Sequence, residues 1–280
     1  MAGISVLCIP FMSVEGEVEA NVDGALRIIA EEARKEKTDL VVLPELFTCG
    51  YCSRNLAPCA ETVDGPSMQR FRACSKELGL WIGYGFAETH DATRVYNAWA
   101  LIAPDGDVQV YRKTHLHPFE EGSAVDEREF LAAGETLEPF QTSFATVGVI
   151  ICYDGCFVEA PRTLVLKGAE LIVWPSRSGG YLASQSLPQV RALDNTAPVV
   201  QVDGGQQGTH LPIKPWSVAA SAMGEVLVSQ RDDDRPFRVA IDCDEGTRLR
   251  ASIDAGAHSL YRTRRPGLYG VIAQQPTSTA

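Results

Sequence analysis

The chain has 280 residues, of which 45% are apolar, so it is long enough for one large domain with a sizeable core. Its 25 Lys and Arg residues against 36 Asp and Glu residues give a formal net charge of −11. This balance argues against nucleic acid or an anionic membrane as a partner, because both require clustered basic residues.

The first residues, MAGISVLCIPF, indicate a strand and lack the charged region and cleavage site of a signal peptide. No apolar run reaches the roughly 20 residues that a membrane-spanning helix needs. We therefore expect a cytoplasmic protein. Its eight cysteines are expected to be reduced thiols, because a long chain with a large core rarely needs disulfide bonds.

Apolar patterning in the first half of the chain predicts alternating strands and helices. Runs of Val, Ile and Leu indicate buried strands, and apolar residues at helical spacing indicate helices. The predicted elements are strands at 4–11, 38–46 and 80–88, helices at 22–37 and 67–79, and a hairpin at 95–113 that turns at PDGD.

The second half continues the alternation. It predicts strands at 145–153, 169–176, 197–205, 216–227 and 235–242, and helices at 159–168 and 188–195. Such alternation indicates an α/β protein whose sheets are covered by helices, and the hairpins argue against a purely parallel sheet. We expect one domain over residues 1–273, followed by a C-terminal tail at 274–280.

Polar residues with complementary chemistry follow three of the apolar runs. Glu45 ends DLVVLPE, Lys113 ends VQVYRK and Cys152 ends TVGVIIC, while Glu127 lies in a polar segment. In α/β folds, catalytic groups gather where strands end. A carboxylate can take the proton of a thiol, and an ammonium can lower the thiol pKa and hold an oxyanion. The N–H of Tyr153 would be a second oxyanion donor.

Other interpretations of these residues remain open on the pattern alone. A glutamate at a strand end is usually solvated, a lysine is usually at the surface, and a cysteine after VII is usually a small core residue. His115 could activate the thiol instead of Glu45, and His115 with His117 could bind a metal ion. CGYC at 49–52, with Cys59 nearby, could be a redox or zinc motif. It lacks the helix that a redox pair needs and the fourth ligand that zinc needs.

The motifs around these residues resemble a known family. VVLPELFTCGY, YRKTHL and GVIICYDGCFVEAPRTLVLKGAELIVWPS are similar to the three signature segments of the nitrilase superfamily of carbon–nitrogen hydrolases. VRALDN, WSVAASAMGEVL and YRTRRPGLYG resemble later segments of the same family, in the same order. The resemblance covers nearly the whole chain. It implies a four-layer αββα sandwich with two mixed β-sheets, and no metal or organic cofactor.

The resemblance also implies roles for individual residues. Glu45 would be the general base, Lys113 the stabiliser of the oxyanion and Cys152 the nucleophile. The family carries a second glutamate seven residues before a glycine, and counting back from Gly134 gives Glu127. Ala133 stands where the family has proline, so nearby glutamates remain alternatives. These alternatives are Glu120, Glu121 and Glu129.

The residues after the cysteine narrow the substrate class. Cys152-Tyr153-Asp154 resembles the amide-cleaving branches of the family, whereas nitrilases tend to have Cys-Trp-Glu. Relatives that bind a substrate carboxylate place arginines where this chain has Gly155 and Cys156, which cannot form a bidentate clamp. We expect Asp154 to cap the following turn, and Cys156 to be a packing or pocket-wall residue.

The predicted function is hydrolysis of a non-peptide C–N bond in a small amide or N-carbamoyl compound, through a cysteine thioester and with release of ammonia. Acyl transfer to an amine, nitrile hydrolysis and a catalytically silent scaffold are the alternatives. Substrate specificity is expected in loops 51–60, 115–126 and 177–186, with Tyr51 in contact with the substrate. The family implies a homodimer or higher oligomer, joined through helices 159–168 and 188–195.

Overall fold

A computed structural model describes residues 3–51, 55–91, 94–118, 126–178, 182–207, 213–254, 261 and 263–274. Its strands are β1 (Ile4–Cys8), β2 (Met12–Val14), β3 (Leu40–Val42), β4 (Trp81–Asp91), β5 (Arg94–Ile102), β6 (Val108–Arg112), β7 (Phe140–Gln141), β8 (Thr146–Val149), β9 (Leu171–Ser176), β10 (Val199–Asp203), β11 (Gly205–Gln207), β12 (Trp216–Ala220), β13 (Val226–Arg231) and β14 (Phe237–Ile241). Its α-helices are α1 (Val18–Lys35), α2 (Pro66–Leu78), α3 (Glu159–Leu166), α4 (Leu182–Asn195) and α5 (Asp244–Asp254).

Most strands form two six-stranded sheets. The order is β14-β1-β3-β4-β5-β6 in the first sheet and β13-β12-β10-β9-β8-β7 in the second. Both sheets are mixed, because β1, β3 and β4 run parallel in the first and β8, β9 and β10 in the second, while the outer pairs are antiparallel. A small parallel ribbon of β2 and β11 contains residues that follow β1 and β10, so it joins the two sheets.

Alternating side chains explain the layers. On β3, Leu40 and Val42 point into a core that lies between the two sheets, whereas Val41 packs toward α1 and α2. On β9, Val173 points into the same central core, and Ile172 packs toward α3 and α4. A strand that is buried on both faces has a continuous run of apolar residues in its sequence. The layers are therefore helix, sheet, sheet and helix, which confirms the αββα sandwich.

The structure differs from the sequence prediction in the length of two helices and in several short elements that were not predicted. Helix α1 begins at Val18 and α4 at Leu182, earlier than the patterns indicated. The strands β2, β7 and β11 were not predicted, because two or three residues are too few to show an alternation. Helix α5 was missed because its sequence, DEGTRLRASID, has few apolar residues. Within the described ranges, no helix combines the length and apolarity that crossing a membrane requires.

The central core depends on a glycine beneath Trp99. A Cβ atom at Gly83 on β4 would lie 2.0 Å from ring atoms Cζ2 and Cη2 of Trp99. The indole is fully buried, and its Nε1 donates to the Leu43 carbonyl at 3.1 Å. The ring is thereby fixed just below the turn that follows β3, so a side chain at position 83 has no free space.

We expect Gly83→Ala to lower the free energy of unfolding by about 1–3 kcal/mol, the usual cost of overpacking a filled core. Chemical denaturation monitored by circular dichroism measures this change. Gly267→Ala is the control, because a Cβ atom there meets nothing within 4 Å. Equal stability of the two variants would contradict the packing argument.

Candidate active site

Glu45 lies in a turn that is pressed against β4. The Gly85 N–H donates to the Pro44 carbonyl at 3.1 Å, and a Cβ atom at Gly85 would lie only 2.4 Å from that oxygen. Leu46 has a φ of 43°, in the left-handed region that non-glycine residues adopt only where the surroundings hold them. The turn therefore fixes the main chain on both sides of Glu45, whose side chain is fully buried.

The two oxygens of the Glu45 carboxylate have different surroundings. Oε1 accepts hydrogen bonds from Asn97 Nδ2 and Lys113 Nζ, both at 2.8 Å, and the Tyr51 hydroxyl lies 3.0 Å away. Oε2 is equally buried but has no hydrogen-bond partner within the described part of the chain. One oxygen thus anchors the carboxylate, and the other is available to accept a proton.

Lys113 joins two carboxylates in the interior. Its Nζ lies 2.8 Å from Glu45 Oε1 and 2.8 Å from Glu127 Oε2, and the side chain is 1% exposed. Burial alone would lower the pKa of Lys113, but the charges of Glu127 and Glu45 raise it well above its ordinary value. The group therefore remains an ammonium that can donate hydrogen bonds to an oxyanion.

Glu127 enters the same cluster from a short 3-10 helix at Glu127–Glu129. Its carboxylate accepts the His117 N–H at 2.7 Å and lies 2.7 Å from the Tyr51 hydroxyl. Burial alone would raise the pKa of Glu127, but the Lys113 charge and the His117 hydrogen bond lower it. Of the alternative glutamates, Glu129 is exposed. Glu120 and Glu121 lie outside the described residues.

Cys152 begins a 3-10 helix that follows β8. Its φ of 44° is again in the left-handed region. Trp174 Nε1 donates to the Cys152 carbonyl at 2.9 Å, and a Cβ atom at Gly155 would lie 1.8 Å from the Trp174 ring. The turn packs so closely on this indole that only glycine fits at position 155. The indole thus holds the unusual backbone conformation of the cysteine.

The Cys152 side chain is partly buried. Burial raises the pKa of the Cys152 thiol well above its ordinary value, and the Glu45 charge raises it further. Lys113, the Arg177 N–H and the Ser176 hydroxyl act in the opposite direction. At neutral pH the sulfur is therefore a protonated thiol, which needs a base before it can attack.

Asp154 connects the Cys152 turn to the segment that carries Lys113. Its Oδ2 accepts from the Ile151 N–H and the Tyr111 hydroxyl at 2.9 and 2.8 Å. Its Oδ1 contacts the Thr114 hydroxyl at 3.0 Å and both the main-chain N–H and Nδ1 of His115 at 2.8 Å. His115 Nδ1 thus bonds to Asp154, and Glu45 and Lys113 are the charged groups that act on the thiol.

The two tyrosines named from the sequence lie at different places. The Tyr51 hydroxyl lies between the carboxylates of Glu45 and Glu127, and its contact with the substrate stays a prediction. The Tyr153 ring makes edge contacts with His117 and Phe157 at centroid distances of 4.9 and 5.2 Å. Tyr51 therefore contacts both carboxylates, and Tyr153 belongs to an aromatic group next to Cys152.

The loops expected to set specificity are described only in part. Residues 52–54, 119–125 and 179–181, including Cys52 of the CGYC motif, lie outside the described residues. Cys49 is buried, and none of the seven cysteines that the structure describes is joined in a disulfide bond. Across the described ranges, no group of three or more His, Cys, Asp or Glu side chains is arranged to hold a metal ion.

Sequence reasoning missed two residues of the site. Asn97 donates to both Glu45 and Glu127, at 2.8 and 3.2 Å. A buried asparagine inside the apolar run VYNAWALI was the available signal. Arg177 directly follows β9. The rule that selected Glu45 and Lys113, a polar residue after a predicted strand, would also have selected Arg177.

The Arg177 side chain is 4% exposed, and each of its three nitrogens donates a hydrogen bond. Nε donates to the Glu45 main-chain carbonyl at 3.2 Å, and Nη2 donates to the Ser13 hydroxyl at 2.9 Å. Nη1 donates to the Gly205 carbonyl. Burial lowers the pKa of Arg177, and nearby carboxylates, Glu45 foremost, act against this change.

Asp203 ends β10 close to Arg177 and is fully buried. Its carboxylate accepts the Ser178 N–H at 2.7 Å and the Trp216 N–H at 3.0 Å. Burial raises the pKa of Asp203 to about 6, although these hydrogen bonds oppose the change. Asp203 therefore titrates in the folded protein at a higher pH than in the unfolded chain.

Comparisons with known proteins place these residues in a family context. A family model for carbon–nitrogen hydrolases matches residues 5–235. The chain is 31% identical over 302 residues to an N-carbamoylputrescine amidase of Oryza sativa subsp. japonica, covering 96% of this chain and 94% of that protein. It is 29% identical over 265 residues to an omega-amidase of Xenopus tropicalis, covering 90% and 91%.

Solved structures share the fold at lower identity. A carbon–nitrogen hydrolase from Helicobacter pylori G27 superposes with a TM-score of 0.86 at 22% identity, over 98% of this chain and 99% of that one. A glutamate-to-glutamine mutant of the amidase from Nesterenkonia sp. AN1 gives 0.81 at 18% identity, over 96% and 97%. In that mutant, the acetamide moiety of fluoroacetamide is covalently attached to the active-site cysteine.

The raised pKa of Asp203 predicts a pH-dependent stability. An acid that binds its proton more tightly in the folded state stabilises the fold at low pH, and this stability is lost as the pH rises from about 4 to about 6. The asparagine in Asp203→Asn cannot titrate. The difference in free energy of unfolding between wild type and Asp203→Asn should therefore fall by about 2–3 kcal/mol over this range. Urea denaturation at several pH values tests this, and a constant difference would contradict it.

Proposed function

The chain belongs to the carbon–nitrogen hydrolase family of the nitrilase superfamily, and we propose that it hydrolyses a small amide or N-carbamoyl compound through a thioester on Cys152. One observation carries this proposal. Glu45 Oε2 is buried without a hydrogen-bond partner among the described residues, and the Glu45 charge acts on the Cys152 thiol, whose pKa burial raises. A protonated nucleophile beside an unoccupied base is what the first step of such a reaction requires.

In the proposed first step, Glu45 Oε2 takes the thiol proton as the Cys152 sulfur bonds to the substrate carbonyl carbon. The carbonyl oxygen becomes an oxyanion, which accepts hydrogen bonds from the Lys113 ammonium and the Tyr153 N–H. The C–N bond then breaks, and Glu45 gives its proton to the departing nitrogen. Ammonia or an amine leaves, and the acyl group remains on sulfur as a thioester.

Water completes the cycle. Glu45 accepts a proton from a water molecule that attacks the thioester carbonyl, and the same donors hold the second oxyanion. The C–S bond breaks, the acid product leaves, and the proton returns from Glu45 to the Cys152 sulfur. Such a cysteine must stay a thiol between turnovers, which fits the cytoplasmic location that we propose, because reducing compartments keep cysteines out of disulfide bonds.

We further propose that the preferred substrate lacks a carboxylate beside the nucleophile. Gly155 has no room for any side chain against Trp174, and Cys156 carries no charge-pairing group, so the arginine clamp of carboxylate-binding relatives is missing. Between the two kinds of amidase that the chain resembles, this favours an N-carbamoyl amine or a neutral amide over an ω-amide of a dicarboxylic acid.

We also propose that the protein is a homodimer, joined through α3 and α4. Large apolar side chains are exposed on these helices and on the adjoining turn between β12 and β13. They are Leu166, Val190, Leu193 and Met223, which are 45% to 55% exposed. Burying such residues against a second copy would remove apolar area from water.

We expect the wild type to release ammonia from N-carbamoyl amines or from butyramide, and more slowly from succinamate, which carries a carboxylate. Cys152→Ala should lose nearly all turnover, because it removes the nucleophile. Glu45→Gln should fold normally but be unable to complete the cycle. An ammonia-release assay measures all three proteins, and mass spectrometry detects the acyl adduct on Cys152.

The matched control is Cys74→Ala, which removes a half-buried thiol on α2 and should keep full activity. Full activity of Cys152→Ala would contradict the mechanism. Added amine tests the alternative of acyl transfer, because an amide formed from that amine in place of free acid would show that water is not the natural acceptor.

The dimer proposal predicts a solution mass of at least twice the 30.4 kDa of one chain by light scattering. Leu193→Asp should shift this mass toward that of the monomer, because it places a charge in the apolar contact. Val14→Asp, at a 43% exposed valine on β2 away from α3 and α4, should leave the mass unchanged. A wild type that is monomeric at micromolar concentration would overturn the proposal.

A further inference from the structure

We propose that the Arg177 side chain is a positioning residue that fixes the separation of Glu45 and Cys152. The inference deepens the proposed hydrolase function and rests on it. Arg177 links the main-chain segments that carry both partners of the first proton transfer. It follows β9, whose Trp174 Nε1 donates to the Cys152 carbonyl at 2.9 Å, and its own Nε donates to the Glu45 carbonyl oxygen at 3.2 Å. The Arg177 main-chain N–H also lowers the pKa of the Cys152 thiol.

The two partners belong to different sheets. Glu45 follows β3 of the first sheet, whereas Cys152 follows β8 of the second sheet, in which Arg177 follows the neighbouring strand β9. Packing between sheets is non-directional and sets the distance between their loops only loosely. A directed hydrogen bond from one sheet to the main chain of the other defines that distance much more closely.

The other two hydrogen bonds of Arg177 strengthen the same connection. Nη2 donates to the Ser13 hydroxyl on β2, and that hydroxyl donates to the Phe47 carbonyl at 2.7 Å. Phe47 is two residues beyond Glu45, so the guanidinium holds the Glu45 turn directly and also through Ser13. Nη1 donates to Gly205 on β11, which anchors the guanidinium to the second strand of the ribbon.

The charge of Arg177 also argues for this role. Within the described part of the chain, the guanidinium forms no ion pair, and its three hydrogen-bond acceptors are neutral. A buried cation without a direct counter-ion is costly, and an apolar side chain would fill the space at lower cost. The favourable interaction with the nearby Glu45 carboxylate helps to offset this cost, which connects the cation to the base.

Arg177 does not act as a substrate clamp. Each of its three guanidinium nitrogens already donates to a protein acceptor, and the residue is 4% exposed. A substrate carboxylate would have to displace buried main-chain carbonyls to reach it. Its effect on catalysis is therefore exerted through Glu45 and Cys152.

The test uses Arg177→Met, which keeps the main-chain N–H and most of the volume, and Arg177→Ala, which leaves a cavity. Because small misplacements of reacting groups cost about 10²-fold in rate, we expect kcat of Arg177→Met to fall by about this factor with little change in KM. Millimolar guanidinium chloride should restore part of kcat in Arg177→Ala by occupying the cavity. It should not do so in Arg177→Met, where the cavity is filled.

Arg238→Met is the matched control. Arg238 also donates to a main-chain carbonyl, that of Glu32 at 2.6 Å, but it lies on β14 beside α1. Its loss should leave kcat per folded molecule unchanged. Wild-type kcat in Arg177→Met, or a loss that only follows the unfolded fraction seen by circular dichroism, would overturn the proposal. If neither Arg177 variant folds, Arg177→Lys decides, because one ammonium cannot hold all three acceptors and full kcat would contradict the inference.

A second readout separates this inference from the proposed function. Iodoacetamide alkylates a thiol once its proton is removed, so its rate at Cys152 reports on the Glu45–Cys152 pair without any turnover. Peptide mass spectrometry should show slower labelling of Cys152 in Arg177→Met than in wild type. If the wild type hydrolyses no amide but the labelling rates differ, the hydrolase function fails and the positioning role stands. Equal labelling rates would refute the positioning role.

Discussion

The site depends on one ammonium shared by two buried carboxylates. Lys113 lies between the buried carboxylates of Glu45 and Glu127 and pairs with both, and such pairing offsets the high cost of an isolated buried charge. The end of β6, the turn after β3 and the 3-10 helix at 127–129 must therefore meet at one point. The Lys113 ion pair uses Glu45 Oε1 and leaves Oε2 without a hydrogen-bond partner among the described residues.

Two further residues connect the two sheets of the sandwich at the site. Asp154 connects the Cys152 turn of the second sheet to the segment after β6, and Arg177 connects the same sheet to the turn after β3. Together they connect the thiol separately to the ammonium and to the carboxylate. Polar contacts between the sheets thus hold the site together, and apolar packing keeps the layers that carry these contacts rigid.

Much of this site could be predicted from the sequence. The physical reasons for this also explain why some of its residues could not be predicted. Glu45, Lys113 and Cys152 stand out because each follows a run of residues that predicts a strand. Glu127 follows no strand, so the pattern alone could not separate it from the neighbouring glutamates. Nothing in the loop sequence showed that the Tyr51 hydroxyl lies between two carboxylates. Asn97 and Arg177 act through partners that are distant in sequence, and the short strands β2 and β11 contain too few residues for a pattern.

The Tyr51 hydroxyl lies within hydrogen-bonding distance of oxygens of both glutamates, yet it has a single hydrogen. Only one carboxylate can therefore receive it at a time. Under the mechanism proposed above, uptake of the thiol proton would remove the charge of the Glu45 carboxyl group and make it a poorer acceptor, so the hydroxyl hydrogen would turn to Glu127. Release of that proton would let the two acceptors compete again. The Tyr51 hydroxyl would thus follow the charge of Glu45 by the rotation of one O–H bond.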